Sequence, residues 1–123
     1  MKLSEILLIF LDVRNCVKLY HFQTELYSTH KISDSFLTNF DSLFDKFMEV
    51  LQGKTNTRIS FEKNTDITIR NMKKNKDILD VIDAFQEIIQ SANFEKGLST
   101  DLLNIRDEIL SEINQFKYLL SFK

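Results

Sequence analysis

Four side chains spaced His30-x3-Asp34-x10-Asp45-x3-Glu49 have residue types and intervals that could do chemistry. One predicted helix holds all four. At about 100° per residue, Asp34, Asp45 and Glu49 fall roughly 40°, 60° and 100° around its axis from His30. An imidazole and three carboxylates on one helical stripe are ligands for a hard-to-intermediate divalent metal such as iron. A single helix cannot close such a site by itself. At 1.5 Å per residue, His30 and Asp45 stand about 22 Å apart along the axis, too far to share one ion. His21 precedes the stripe and belongs near its His30 end. If these residues hold a metal, histidines of one subunit must meet carboxylates of another.

Simpler readings exist for each residue alone. A histidine at a helix end is ordinarily a hydrogen-bonded surface group, and acidic residues at i and i+4 are ordinarily the solvated face of an amphipathic helix. Asp41 falls on the side of the stripe and has no assigned role. Asp77, Asp80, Asp83, Glu87, Glu108 and Glu112 read as solvent-facing. The chain has only two histidines and no Glu-x-x-His pair, so a di-metal carboxylate site inside a single four-helix bundle is not encoded. No Ser/His/Asp arrangement, glycine-rich phosphate loop or Cys-x-x-Cys pair is present.

The elements that must position the stripe follow from composition and periodicity. The 123 residues suffice for one domain, 1–123, with one core. With no proline, two glycines and 43% hydrophobic residues, long helices are favoured over a many-turned β fold. A net charge of −2 provides no electrostatic case for gripping a phosphate backbone, so specific DNA binding is not expected. Lys73, Lys74 and Lys76 read as a solvated helix start. The single cysteine, Cys16, excludes an internal disulfide framework and fits a reducing cytoplasm. It sits in an apolar stretch and reads as a small buried hydrophobe. Leu3 to Leu11 is apolar, but Glu5 interrupts it and Asp12, Arg14 and Lys18 follow. That run is too short for a membrane span and lacks a signal-peptide cleavage site, so no membrane partner is expected.

Apolar residues at spacings of three and four predict helices over about 4–24, 29–52, 75–92 and 99–122. Ser4 and Ser99 read as start signals, and Gly53 as the left-handed stop of the second helix. Short turns make the first two helices one antiparallel hairpin and the last two another. Between them, Arg58-Ile59-Ser60-Phe61-Glu62 and Thr65-Asp66-Ile67-Thr68-Ile69 alternate polar and apolar. This reads as extended chain or a small hairpin turning at Lys63-Asn64, laid along the helices. Two helical hairpins joined by one long crossover is the connectivity of a ferritin-like four-helix bundle, and this all-α fold is the expectation.

The segment Leu19-Tyr20-His21-Phe22-Gln23, continued through His30, Asp34, Asp45 and Glu49, resembles the Dps family of miniature ferritins over residues 5–53. That family carries a His-Trp pair ending its first helix and a second His early in the next. An Asp follows four residues on, and an Asp-x3-Glu pair begins fifteen residues after that His. Here Phe22 stands in place of the Trp, the interval from His21 to His30 is three residues shorter, and the family's helix between the two hairpins is absent. The resemblance implies a ferroxidase centre at a two-fold subunit interface. His21, His30 and Asp34 of one subunit would be ligands together with Asp45 and Glu49 of its mate, with Phe22 the neighbouring aromatic. It further implies iron, or another divalent metal, oxidised by peroxide or oxygen. It implies a homo-oligomer, at least a dimer, in the cytoplasm.

The motifs Tyr20-His21-Phe22-Gln23-Thr24, His30-Lys31, Asp45-Lys46-Phe47-Met48-Glu49 and Gln52-Gly53-Lys54 also look like those of short proteins of large phages and other large DNA viruses. That likeness leaves a second reading open: a non-enzymatic helical-bundle interaction protein of a phage or virus, with a host protein as partner in the host cytoplasm. Asp45 and Glu49 would then make interface hydrogen bonds or salt bridges, with the metal weak or absent.

Overall fold

Apolar residues recur every three or four positions through most of the chain. The computed structural model, which describes residues 1–123, winds them into five helices and no strand. They are α1 (Leu3–Gln23), α2 (Tyr27–Thr55), α3 (Asn75–Ile89), α4 (Ala92–Glu95) and α5 (Thr100–Leu120). The all-α expectation is met.

Side-chain pairs fix how the long helices run. Arg14 of α1 meets Asp41 of α2, while His21 meets Ser33, so α1 and α2 are antiparallel. Phe36 stacks on Phe116 and Asn39 reaches Glu112, which sets α2 antiparallel to α5. Tyr20 donates to Asn75 at 2.6 Å and Phe10 meets Phe85, setting α1 antiparallel to α3. Lys117 pairs with Asp83 and closes the set between α5 and α3. Every long helix thus lies antiparallel to both of its neighbours.

The core is rich in phenylalanine and centres on Phe10, which is 0% exposed. Its ring stacks on Phe40, Phe44 and Phe47 of α2 at centroid distances of 5.9, 5.0 and 5.4 Å. Phe85 of α3 meets it edge-on at 5.3 Å. Offset stacks and edge contacts are the arrangements that aromatic quadrupoles favour. Ile105, Ile109 and Ile113 of α5 are buried on the same core.

Several helix ends differ from the sequence-based expectation. α2 runs straight through Gly53, and the left-handed residue that ends it is Asn56, at φ 51° and ψ 39°. Asn is the residue besides glycine that tolerates this conformation. Ser4 caps nothing; α1 starts one residue earlier, and the Glu5 carboxylate accepts the Lys2 N–H at 3.3 Å. At α5 the Ser99 hydroxyl donates to Asp101 and accepts no helical N–H. The third helix stops at Ile89, short of 92, because the Ser91 hydroxyl accepts the Phe94 N–H and starts the separate turn α4. Phe94 is thereby buried against Phe47. The Arg106 guanidinium donates to the freed Ile89 carbonyl at 2.8 Å and to Glu95 at 2.7 Å. Gly97, at φ 79°, then turns the chain into α5.

The crossover contains no hairpin. Residues 58–73 make no backbone–backbone hydrogen bond, and the positive-φ residues of the chain are Asn56 and Gly97, neither near Lys63-Asn64. A two-residue hairpin needs such a residue at its turn. Side chains tether the segment instead. Gln52 accepts the Ile59 N–H at 3.0 Å, and Gln23 accepts the Met72 N–H at 2.6 Å. Arg70 grips both oxygens of Asp12 at 2.9 and 3.1 Å, and Met72 is buried. The crossover therefore lies along α1.

Truncation at the hub, Phe10→Ala, should cost about 3–5 kcal/mol, read as a lower urea midpoint with an unchanged slope. Burial pushes the Cys16 thiol up, with the Asp12 carboxylate adding to the shift and Arg70 opposing it. A thiol reagent at neutral pH should therefore leave folded protein unmodified and label it fully once denatured.

Candidate metal centre

α1 ends at Gln23 and α2 begins at Tyr27, leaving Thr24, Glu25 and Leu26 to reverse the chain. The Thr24 N–H closes α1 on the Tyr20 carbonyl at 2.9 Å. The Thr24 and Thr29 hydroxyls bond to each other, and Thr29 donates to the Leu26 carbonyl at 3.0 Å. This tight corner sets the last turn of α1 against the first turn of α2 and brings the two histidines together.

The nine-residue interval between His21 and His30, folded back at this corner, pairs them. His21 Nδ1 lies 2.9 Å from the His30 carbonyl oxygen, and His30 Nδ1 lies 2.9 Å from the His21 carbonyl oxygen. A carbonyl oxygen only accepts, so each Nδ1 carries the proton and, in the neutral ring, each Nε2 keeps its lone pair. The Ser33 hydroxyl donates to the His30 carbonyl at 3.0 Å, and its oxygen lies 3.2 Å from His21 Nδ1, as a second acceptor. A backbone carbonyl holding Nδ1–H is the usual support behind a metal-ligating imidazole.

The rings stack with centroids 3.8 Å apart and planes 21° from parallel. A metal binds a ring nitrogen in the plane of its ring. Two stacked rings would therefore hold one ion each and could not chelate a single one. His21 is 7% exposed and His30 partly exposed. Phe22, 68% exposed, meets His21 edge-on at 5.3 Å, and Tyr27 stacks over His30 at 6.2 Å.

α2 is one unbroken helix from Tyr27 to Thr55, so the axial separation inferred from the sequence applies. Asp34 follows His30 by one turn on the same side. Asp34, Asp45 and Glu49 are exposed, and their carboxylates make no ion pair within the chain. Asp41 differs: Arg14 grips it at 2.9 and 3.3 Å, which gives it a structural role between α1 and α2. No three His, Cys, Asp or Glu side chains converge within one chain. The structure unites His21 with His30 and leaves Asp45 and Glu49 farther along the helix.

Ser33 escaped the sequence reading. It is 0% exposed on the apolar side of α2, three residues before Phe36. A hydroxyl placed among core positions needs a partner, and that was the available signal.

A family of unknown function (DUF5856) has a model that matches residues 21–120, and the chain belongs to this family. The matched region includes His21, His30, Asp34, Asp45 and Glu49. No curated protein and no solved structure matches the chain.

Long-range proton–nitrogen spectra at neutral pH should show both imidazoles in the Nδ1–H form. Ser33→Ala removes one acceptor and should lower stability by about 1 kcal/mol without changing either tautomer.

Proposed function

We propose that this DUF5856 protein is a Dps-like iron-binding protein with a ferritin-like four-helix-bundle fold. Its ferroxidase-type di-metal site forms where two subunits meet across a two-fold axis. The reciprocal histidine lock carries this reading. It spends both Nδ1–H groups on backbone carbonyls and leaves both Nε2 atoms for ligation. The fold reading is supported by antiparallel neighbours together with one long crossover, the connectivity of ferritin-like bundles.

The ligand set joins His21, His30 and Asp34 of one subunit to Asp45 and Glu49 of its mate. All three carboxylates are free of ion pairs within the chain, and an antiparallel α2–α2 contact centred near residue 40 sets each His30 level with the mate's Glu49 and each Asp34 level with the mate's Asp45. Iron(II) is the substrate, oxidised by peroxide or oxygen, and the redox chemistry is the metal's own. The protein's share is positional. The carbonyl lock orients the imidazoles, the carboxylates offset cationic charge, and Phe22 shields the histidine side from water once the second subunit covers it.

One observation favours a second reading, a metal-free interaction protein. Lys31 and Glu49 lie eighteen residues apart, about five full turns, and share one azimuth of α2. The same antiparallel contact matches each Lys31 with the mate's Glu49. Exposed pairs of this kind contribute about 0–1 kcal/mol each, so they would select the register more than hold the dimer.

Peroxide-dependent Fe(II) oxidation by purified protein tests the proposal. His30→Ala and Glu49→Ala should each abolish it, whereas a heterodimer of the two variants should regain about half of the sites, because one of its two symmetric sites is assembled from intact residues. Failure of the wild type to bind or oxidise Fe(II), with a dimer that Lys31→Glu disrupts and Lys31→Glu/Glu49→Lys restores, selects the second reading.

A further inference from the structure

Residues 64–73 run without turn or bend, and none of their backbone N–H or C=O groups meets another backbone group. Thr65-Asp66-Ile67-Thr68-Ile69 alternates polar and apolar residues and is rich in the β-branched types that favour strands. Ile69 is 65% exposed. An extended, unpaired segment of this kind is a template for another extended chain, with backbone bonds supplying affinity and alternate side chains supplying choice.

The occupant is encoded in the segment itself. Read antiparallel about Thr68, Asp66-Ile67-Thr68-Ile69-Arg70 is its own complement. Asp66 falls opposite Arg70 of a second copy, Ile67 opposite Ile69, and Thr68 opposite Thr68. The four isoleucines then share one face of a two-stranded ribbon, and the charged pairs share the other. Asp66 has no ion-pair partner within its own chain. Arg70 uses its two terminal nitrogens on Asp12, which leaves the Nε–H and two further N–H groups for an incoming carboxylate.

We propose that residues 66–70 form an intermolecular antiparallel ribbon with the same residues of a second copy of this chain, on a two-fold axis at Thr68. This contact involves none of the metal-site residues, so it stands or falls apart from the iron reading.

Cysteine cross-linking of the full chain tests it without metal. Directly opposed residues of an antiparallel pair lie about 4.5–5.5 Å apart at Cα, inside disulfide range. Under mild oxidation Thr68→Cys should convert from monomer to covalent dimer. Thr65→Cys, whose copies would sit six positions apart, should not. The wild type, with Cys16 buried, supplies the blank. In wild-type protein, exchange of alternate ribbon amides (Ile67 and Ile69, or Thr68) should be slow when concentrated and fast on dilution, and in Ile69→Pro the remaining Ile67 and Thr68 amides should exchange fast at all concentrations. A Thr68→Cys protein that stays monomeric, or a Thr65→Cys protein that cross-links equally well, overturns the ribbon. So does amide exchange that is fast at every concentration.

Discussion

Three of the four long helices meet at one side chain. Phe10 projects from α1 into a pocket walled by three rings of α2 and closed edge-on by Phe85 of α3. No polar group takes part, so the hub fixes spacing but offers no directional bond against sliding. Register comes from the flanks. Arg14 on Asp41 pins the middle of the α1–α2 seam, and the crossed imidazole–carbonyl bonds pin its end. Burial provides the drive, and a few charge-assisted or reciprocal hydrogen bonds choose one alignment among those the phenylalanines would tolerate.

That division of labour explains what could be read from the sequence. Periodic Ile, Leu and Phe residues located the long helices within a few positions, because their burial depends on helical pitch alone. Helix ends depend on single side chains with alternatives. The break at Ser91 required Phe94 to find a place against Phe47, and the passage of α2 through Gly53 required Asn56 to accept the left-handed turn. The crossover read as extended chain or a small hairpin because alternation reports only that a segment is extended, and the extended reading is the one that agrees with the structure. Whether it pairs depends on a partner that the pattern does not name.

The candidate site shows the same limit. Spacing along α2 placed His30, Asp34, Asp45 and Glu49 on one stripe whose use as a shared metal site would require a second chain, and the uninterrupted helix keeps that geometry. Spacing said nothing of ring orientation. The mutual Nδ1–H bonds arise from two backbone carbonyls and a buried serine, groups without a sequence signature of their own. The three-residue turn sets the rings in face contact, with each Nδ1 held by a carbonyl and each Nε2 without a partner in the chain.

The manner in which the crossover is fastened also bears on how this chain can change over generations. A ladder of backbone bonds would make every inserted residue shift the register of those that follow. Here Gln52, Gln23, Arg70 and Met72 grip only the two ends of the segment, at Ile59 and from Arg70 onward. The stretch between Phe61 and Asp66 is free to lengthen at a loop-closure cost of about 0.6 kcal/mol per doubling. Insertions there would leave the helices and the histidine pair untouched.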